Sequence, residues 1–224
     1  MIDWGPLVLT FRLALITTFM LLLIAIPLAY WLAFSKSKIK PVIETLVSMP
    51  LVLPPTVIGF YLLVAFSPSN AFGNWLNEWF GLRLVFSFEG LLVASIIYSL
   101  PFMVHPIQAG FSNLSQSLID VSYVLGKSKT TTLFKVLLPN IKPSLLTGIV
   151  LAFAHTVGEF GVVLMIGGNI PDKTRVASIA IYDEVEALNY GVANTYSLIL
   201  FCITFAILLT VFLINGGYLK QIIK

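Results

Sequence analysis

Charged residues are scarce in this chain of 224 residues: only 10% are Asp, Glu, Lys or Arg, against about 25% in a typical soluble domain. Apolar residues make up 58% of the chain, and the mean hydropathy is +0.97. This composition excludes an ordinary soluble protein. It also excludes a disordered chain, because disordered chains have too little apolar surface to fold. The sequence therefore indicates an integral membrane protein.

Cysteine is almost absent. The one cysteine, Cys202, lies inside an apolar run, so the chain can build neither a disulfide framework nor a cysteine-based metal site. The net charge of +3 is too small to indicate a nucleic-acid-binding protein. The positions of the charges are therefore more informative than their sum.

Long uncharged runs divide the sequence into membrane spans. The first run, residues 13–35, would reach about 35 Å as a helix, which exceeds the roughly 30 Å of a bilayer core. Similar runs predict an all-α protein with five transmembrane helices, over about residues 8–34, 43–66, 88–110, 142–166 and 193–216. We find no internal repeat and expect one transmembrane domain over residues 1–224.

The distribution of Lys and Arg predicts the orientation of these spans, since cytoplasmic loops are enriched in both. One side of the membrane would carry nine lysines: Lys36, Lys38, Lys40, Lys127, Lys129, Lys135, Lys142, Lys220 and Lys224. The other side would carry four basic residues: Arg12, Arg83, Lys173 and Arg175. We therefore expect the N-terminus outside the cell and the C-terminus in the cytoplasm.

The cytoplasmic loop at residues 111–141 contains Gly126-Lys127-Ser128, which matches the end of a phosphate-binding P-loop. The first glycine of that motif would fall at Val121, and no strand precedes it. We therefore expect no nucleotide site and no cofactor on this chain.

The same loop is expected to form two short helices. Ser117 and Asp120 have capping-box spacing, which predicts a helix that begins near Leu118 and ends at Gly126. A second helix is expected over about residues 129–137, ending before Pro139. Two apolar short helices suit either a docking surface for a partner or a connector lying on membrane lipid, and the pattern alone leaves both open.

A few polar residues lie within the predicted spans. His155 and Glu159 are four residues apart, so a helix would place them on one face, either as a pair that fixes helix packing or as part of a transport pathway. His105 lies between two prolines, and we expect it or Gln108 to bind carbonyl groups that the kink leaves unpaired.

Pro54-Pro55-Thr56 removes two backbone donors from the second span and must distort it. Distorted helices in membranes face protein or a water-filled cavity, so the segment is expected either beside the pathway or at an ordinary kink filled by its neighbours.

Residues 120–139 resemble the EAA loop of ABC importer permeases. That loop has the pattern E-A-A, three residues, G, nine residues, and I-x-L-P. The identical positions are Gly126, Leu138 and Pro139. The positions that differ, with similar charge sign or size, are Asp120, Val121, Ser122 and Val136.

Other segments narrow the resemblance. Residues 49–59, MPLVLPPTVIG, and 158–161, GEFG, are followed by GNIP at 168–171 and AIY at 180–182. Together these segments are similar to the permeases of molybdate ABC importers, with sulfate permeases as close relatives.

The resemblance implies the architecture of a type I ABC importer permease in a bacterial inner membrane. Two copies of the chain would form the pathway, two ATPase subunits would bind ATP and dock under the EAA loops, and an external binding protein would deliver the oxyanion. The chain would not be an enzyme. The residues expected to contact the ATPase are Asp120, Val121, Ser122, Gly126, Lys127, Val136, Leu138 and Pro139, and those expected at the pathway or gate are Pro54, Pro55, Thr56, His105, His155 and Glu159.

Two other classes of protein fit the sequence less well. A membrane-embedded enzyme needs a nucleophile, an acid and a base together, for which two histidines and one intramembrane glutamate are a poor set. An ion-driven secondary transporter would have internal repeats and would work without an ATPase. Within the importer class, the preference among molybdate, tungstate and sulfate is left open, because much of it is expected to reside in the separate binding protein.

Overall fold

The computed structural model describes residues 3–215, which fold into helices joined by turns, without a strand in that range. The predicted all-α fold is confirmed. The predicted end of the last span at residue 216, and the expected inside positions Lys220 and Lys224, lie outside the described residues. The helices are α1 (Gly5–Phe34), α2 (Lys40–Ser48), α3 (Pro55–Phe66), α4 (Ala71–Phe80), α5 (Phe88–Ser112), α6 (Gln116–Val124), α7 (Lys129–Thr132), α8 (Leu138–Asn140), α9 (Lys142–Val157), α10 (Gly161–Gly167), α11 (Ala177–Glu186) and α12 (Tyr190–Asn215).

Three helices in the described part of the chain are long and apolar enough to cross a membrane without interruption: α1, α5 and α12. Two bent helix pairs raise the count to five if each pair is one crossing. The first pair joins Lys40–Leu51 to Pro55–Phe66 at 111°, and the second joins Lys129–Asn140 to Lys142–Val157 at 79°.

The predicted span 43–66 is thus broken in the middle. A 3₁₀ turn at Met49–Leu51 ends the first half, and α3 begins at Pro55. Neither Pro54 nor Pro55 has a backbone N–H, and the residue before a proline avoids the α conformation, so the helix cannot continue through this point. The distortion expected here is therefore a sharp turn between two half-helices.

The predicted span 142–166 is also interrupted, which the sequence analysis did not anticipate. Helix α9 ends at Val157, and the chain becomes helical again only at Gly161. Phe160, with φ −128° and ψ −56°, lies outside the helical region. The prediction of one continuous helix was wrong at residues 158–160.

Helix α5 is the central element of the fold. Its C-terminal half packs Met103, Ile107 and Phe111 against α1, and its N-terminal half packs Leu91 and Ala94 against α3 and α10. Helix α12 differs, because only 6% of its most apolar stretch is buried against the rest of the chain. Its apolar surface is thus left for contacts outside this chain.

Two helices lie between spans. Helix α4 follows α3 and precedes α5, and α11 precedes α12. Helix α11 is attached to the first span, since the Ala177 backbone N–H donates to Thr10 Oγ1 at 2.7 Å. Both helices lie in the loops that the sequence predicts on the outer side of the membrane.

Candidate functional site

The interruption after α9 is fixed by two serines from other helices. Ser95 of α5 donates to Glu159 Oε2 at 3.0 Å, and Ser178 of α11 donates to the Glu159 backbone oxygen at 2.6 Å. Glu159 is only 5% exposed, and its second oxygen, Oε1, has no hydrogen-bond partner among the described residues. The Glu159 side chain thus joins the break in the fourth span to the third span.

His155 and Glu159 do not form the pair that their spacing suggested. Ser99 Oγ lies 2.9 Å from His155 Nδ1, whereas Glu159 binds Ser95, one helical turn along α5. The expectation failed because α9 ends at Val157, so Glu159 is not one helical turn above His155. Two serines on α5 therefore take the place of the expected pair.

The His155 ring is held on several sides. It stacks on Phe102 with ring centroids 3.9 Å apart, and the Tyr98 ring lies 4.8 Å away. Ser99, which contacts Nδ1, also lies 3.0 Å from Thr156 Oγ1. The orientation of the imidazole is fixed by these contacts.

The breaks of the second and fourth spans touch each other. An ideal Cβ built on Gly161 would lie 2.7 Å from Pro55 Cβ, which is closer than real Cβ atoms approach. Only glycine permits this contact, and it places Pro54-Pro55-Thr56 beside Gly158–Gly161. Of the predicted pathway residues, the structure therefore brings together Pro55, Thr56, His155 and Glu159.

A cavity of about 530 Å³ lies at this junction, and we call it the break cavity. It is lined by Pro55, Thr56, Tyr98, Ala154, His155, Gly158, Glu159, Phe160 and Gly161. Tyr98, Ser95 and Ser99 were not among the residues predicted for the site. The sequence does contain a signal for the two serines, because Ser95 and Ser99 are polar residues four positions apart in an otherwise apolar helix.

His105 lies elsewhere, in the other half of α5. Its Nε2 is 3.1 Å from Ser48 Oγ of α2, and Gln108 Nε2 donates to Glu44 Oε1 of the same helix. The expectation that His105 or Gln108 would bind carbonyl groups freed by a kink is wrong, because both contact side chains of α2. Glu44, which was not among the predicted site residues either, connects the first half of the second span to α5.

Residues 116–140 form the structured part of the predicted cytoplasmic loop, and we call them the coupling segment. Gly126 has φ +71°, a left-handed conformation that glycine adopts without a Cβ penalty, so the predicted turn after the first short helix is confirmed. Gln116 Nε2 donates to Asp120 Oδ1 at 3.1 Å, and this hydrogen bond holds the aspartate on the solvent-exposed face of α6.

Two details of this segment differ from the prediction. Helix α6 begins at Gln116, and Ser117 is inside it and donates to Ser115 Oγ instead of capping the helix. The second helix does not end before Pro139, because a π-helical turn at Leu133–Leu137 leads directly into α8. Proline is tolerated there since it occupies the first turn of α8.

The coupling segment exposes apolar side chains. Val121, Val124 and Leu125 are 56%, 87% and 67% exposed, beside the exposed Lys127. Of the other expected contact residues, Pro139 is exposed, Val136 and Leu138 are half-buried, and Ser122 is buried. Seven of the eight therefore have accessible surface, and Ser122 supports the others from inside.

No group of three or more His, Cys, Asp or Glu side chains that could hold a metal ion occurs among residues 3–215. The arrangement consists of two broken spans around a cavity and an apolar protrusion at one end. Such an arrangement suits movement of helices more than covalent chemistry.

The family of this chain follows from comparison with known proteins. Residues 25–219 match the model of the binding-protein-dependent transport system inner membrane component. The chain belongs to this family and is therefore a multi-pass membrane permease subunit of an ABC transport system, not itself an enzyme. Permeases of this family work with ATPase subunits and a substrate-binding protein.

Individual relatives are more specific. The chain is 48% identical over 193 residues to the molybdenum transport system permease protein ModB of Azotobacter vinelandii, covering 86% of this chain and 85% of that protein. It is 30% identical to ModB of Escherichia coli K12, and the match covers 82% of this chain and 80% of that protein. It is 32% identical to a probable sulfate transport system permease protein, cysT, of Marchantia polymorpha, and the match covers 89% of this chain and 69% of that protein.

Solved structures share the fold. The inward-facing methionine ABC transporter MetNI matches with a TM-score of 0.73 at 16% identity, over 95% of this chain and 94% of that one. A bacterial ABC transporter that imports alginate matches with a TM-score of 0.76 at 17% identity, over 94% and 79%. The predicted type I ABC importer permease fold is thereby confirmed.

Proposed function

We propose that this chain is the membrane subunit of an ATP-driven importer that carries molybdate, or a closely related tetrahedral oxyanion, across a bacterial inner membrane. The observation that carries the proposal is the 48% identity to a molybdenum permease over most of both chains. A secondary transporter is disfavoured, because the family depends on a binding protein.

The proposed assembly contains two copies of this chain, two ATPase subunits and one external binding protein. ATP would bind only to the ATPase subunits, so this chain needs no cofactor of its own. The large unburied apolar surface of α12 supports contacts with a second copy and with lipid.

The coupling segment is the proposed contact with the ATPase. Its exposed valines and Leu125 give an apolar surface, and Gly126 and the Ser122–Thr132 contact give it a defined shape. A rigid protrusion can transmit closure of the ATPase to the spans as a rigid-body movement. This geometry supports the ATPase contacts that the resemblance implies at residues 120–139.

The proposed orientation places the coupling segment in the cytoplasm and α4 and α11 outside. The lysines at positions 127, 129, 135 and 142 support this orientation, because cytoplasmic loops are enriched in Lys and Arg. The break cavity would then lie beside the pathway, with Pro55, Thr56, His155 and Glu159 in its lining and Pro54 next to Pro55 in the chain. His105 would lie nearer the cytoplasm, where it joins α2 to α5.

Reconstitution tests the proposal. The permease, its ATPase and its binding protein are placed in vesicles, and uptake of molybdate, tungstate and sulfate is measured with and without ATP. We expect ATP-dependent molybdate uptake that requires the binding protein. Uptake of sulfate alone would assign the chain to the sulfate branch, and uptake without ATP would overturn the importer mechanism.

A further inference from the structure

One face of helix α2 is apolar and is not covered by the described part of the chain. Its members follow each other at helical spacing, and all of them are exposed: Ile39, Val42, Leu46 and Met49. We call this face the α2 stripe. The opposite face packs on the protein, because Val47 is buried in the core and Ser48 contacts His105 of α5. The helix thus has a packed face and an apolar face that is left for another molecule.

The α2 stripe runs from the end of the first span towards the middle of the membrane. Glu44 of α2 accepts from Gln108, which lies four residues before the end of α5, and Ser48 contacts His105, three residues further from that end. At 1.5 Å per residue, these two contacts lie about 6 Å and about 10 Å from the end of α5. The stripe therefore begins near the membrane boundary and continues into the apolar layer.

Three lysines lie at the boundary end of the stripe. Lys36 and Lys38 are exposed, and Lys40 is half-buried at the start of α2. None of them forms a salt bridge with another described residue. Residues 4–43 contain no Asp or Glu, and the next acid, Glu44, is directed to α5. The boundary end of the stripe is therefore positively charged.

We propose that the α2 stripe and its three lysines bind an anionic phospholipid of the inner leaflet. The phosphate group would lie among Lys36, Lys38 and Lys40, and an acyl chain would lie along Val42 and Leu46. Such a lipid has its negative headgroup at the membrane boundary and its chains directed inward, so it matches the lysines in charge and the stripe in polarity and direction. The inference goes beyond the proposed function and uses only its orientation, which places these lysines at the cytoplasmic surface.

A contact between the α2 stripes of two copies is less favourable than a lipid. Two copies in one membrane have the same orientation, so their α2 helices would both run inward from the cytoplasmic boundary. The two lysine clusters would then lie at the same depth and repel each other. An anionic lipid between the protein and the bilayer neutralises the same charges.

Native mass spectrometry of the permease in detergent tests the inference. The protein is titrated with dioleoyl phosphatidylglycerol, and zwitterionic dioleoyl phosphatidylcholine is the control lipid. We expect one phosphatidylglycerol per chain to bind at least about tenfold more tightly than phosphatidylcholine, since each lysine near anionic lipid contributes about fivefold in affinity. The triple variant Lys36→Gln/Lys38→Gln/Lys40→Gln should lose this preference, and Arg at the same three positions should retain it.

Two matched controls separate the site from general effects. The triple variant Lys127→Gln/Lys129→Gln/Lys135→Gln removes the same charge from the coupling segment and should keep the lipid. Leu46→Gln should weaken lipid binding, because it places a polar group in the stripe. Leu209→Gln, at an exposed leucine of α12, should not.

Three results would overturn the inference. The first is equal binding of both lipids by the wild type, or an unchanged preference after loss of Lys36, Lys38 and Lys40. The second is the same loss of lipid in both triple variants, which would show that net charge alone attracts the lipid. The third is conversion of dimers to monomers by Leu46→Gln with lipid binding unchanged, which would make the stripe a contact between copies. The proposed function is tested separately, by uptake.

Discussion

The hydroxyl groups of Ser122 and Thr132 lie 2.8 Å apart inside the coupling segment, where both residues are buried. This contact joins α6 to α7 across the left-handed turn at Gly126. The Lys127 backbone N–H donates to the Ser122 carbonyl at 3.1 Å and closes the same turn. The two short helices are therefore held at a fixed angle, and residue 126 is the point where that angle is set.

Gly126→Val should weaken binding of the ATPase. A β-branched residue at φ +71° is strained by about 1 to 3 kcal/mol, so the turn would open and the apolar surface would change shape. ATPase co-purification and molybdate uptake should fall together, while membrane insertion is unchanged.

Gly81→Val is the matched control for this change. Gly81 also has a positive φ, +63°, and a Cβ at either glycine would have no atom within 4 Å, but Gly81 lies after α4 on the proposed outer side. Normal ATPase binding by Gly126→Val would show that the coupling segment is only a connector.

Glu159→Gln should retain most oxyanion uptake. The amide oxygen of glutamine can still accept from Ser95, so the tie between the third and fourth spans remains. Glu159→Leu leaves the Ser95 hydroxyl without its acceptor, which costs about 1 to 3 kcal/mol, and it should lower thermal stability as well as uptake.

The measurements for Glu159 are uptake in vesicles and the unfolding temperature in detergent. Glu78→Gln on the exposed face of α4 serves as the control. A folded, ATPase-bound Glu159→Gln protein without uptake would contradict a structural role and would indicate a part in anion binding or proton transfer.

The orientation can be tested by cysteine labelling. Cys202 is exposed, so it is first replaced by serine. Ser69→Cys should then react with a membrane-impermeant maleimide on intact cells, and Ser128→Cys only after permeabilisation. Both positions are exposed in the structure, so a lack of reaction reports the side of the membrane. The reverse pattern would overturn both the orientation and the cytoplasmic docking of the ATPase.

Helix α4 should lie at the outer surface of the bilayer. Phe72, Trp75 and Trp79 occupy one face of this helix at helical spacing, and they are 50%, 46% and 75% exposed. Aromatic residues favour the boundary between lipid and water. Fluorescence of a variant that keeps only Trp79 should be quenched more by spin labels near the lipid headgroups than by labels deep in the acyl chains.

A variant that keeps only Trp4, near the start of α1, provides the comparison for this experiment. Equal and weak quenching of Trp79 by both labels would place α4 away from the membrane. In that case, the aromatic face would be open to a soluble partner.

The apolar runs predicted the helical regions well because each run depends only on local composition. The turn at Pro54-Pro55 was also predictable, since proline acts on its own helix. The interruption at Glu159 was not, because apolar residues continue on both sides of it and its partners, Ser95 and Ser178, lie on other helices. The same reason explains the failure of the His155–Glu159 pairing. Contacts between helices determine both the interruption at Glu159 and the hydrogen-bond partners of His155, and a single sequence does not show which helices are in contact.

The contact between Pro55 and Gly161 has a mechanical consequence. The same two half-helices interlock one turn further on, because the missing side chain at Gly59 of α3 leaves room for the Met165 side chain of α10, whose Cβ would lie 2.6 Å from a Cβ at Gly59. Interlocked side chains must change rotamer when helices rotate against each other, so α3 and α10 are expected to move as one unit. The second and fourth spans are thus joined at their breaks, and a movement of one is carried to the other.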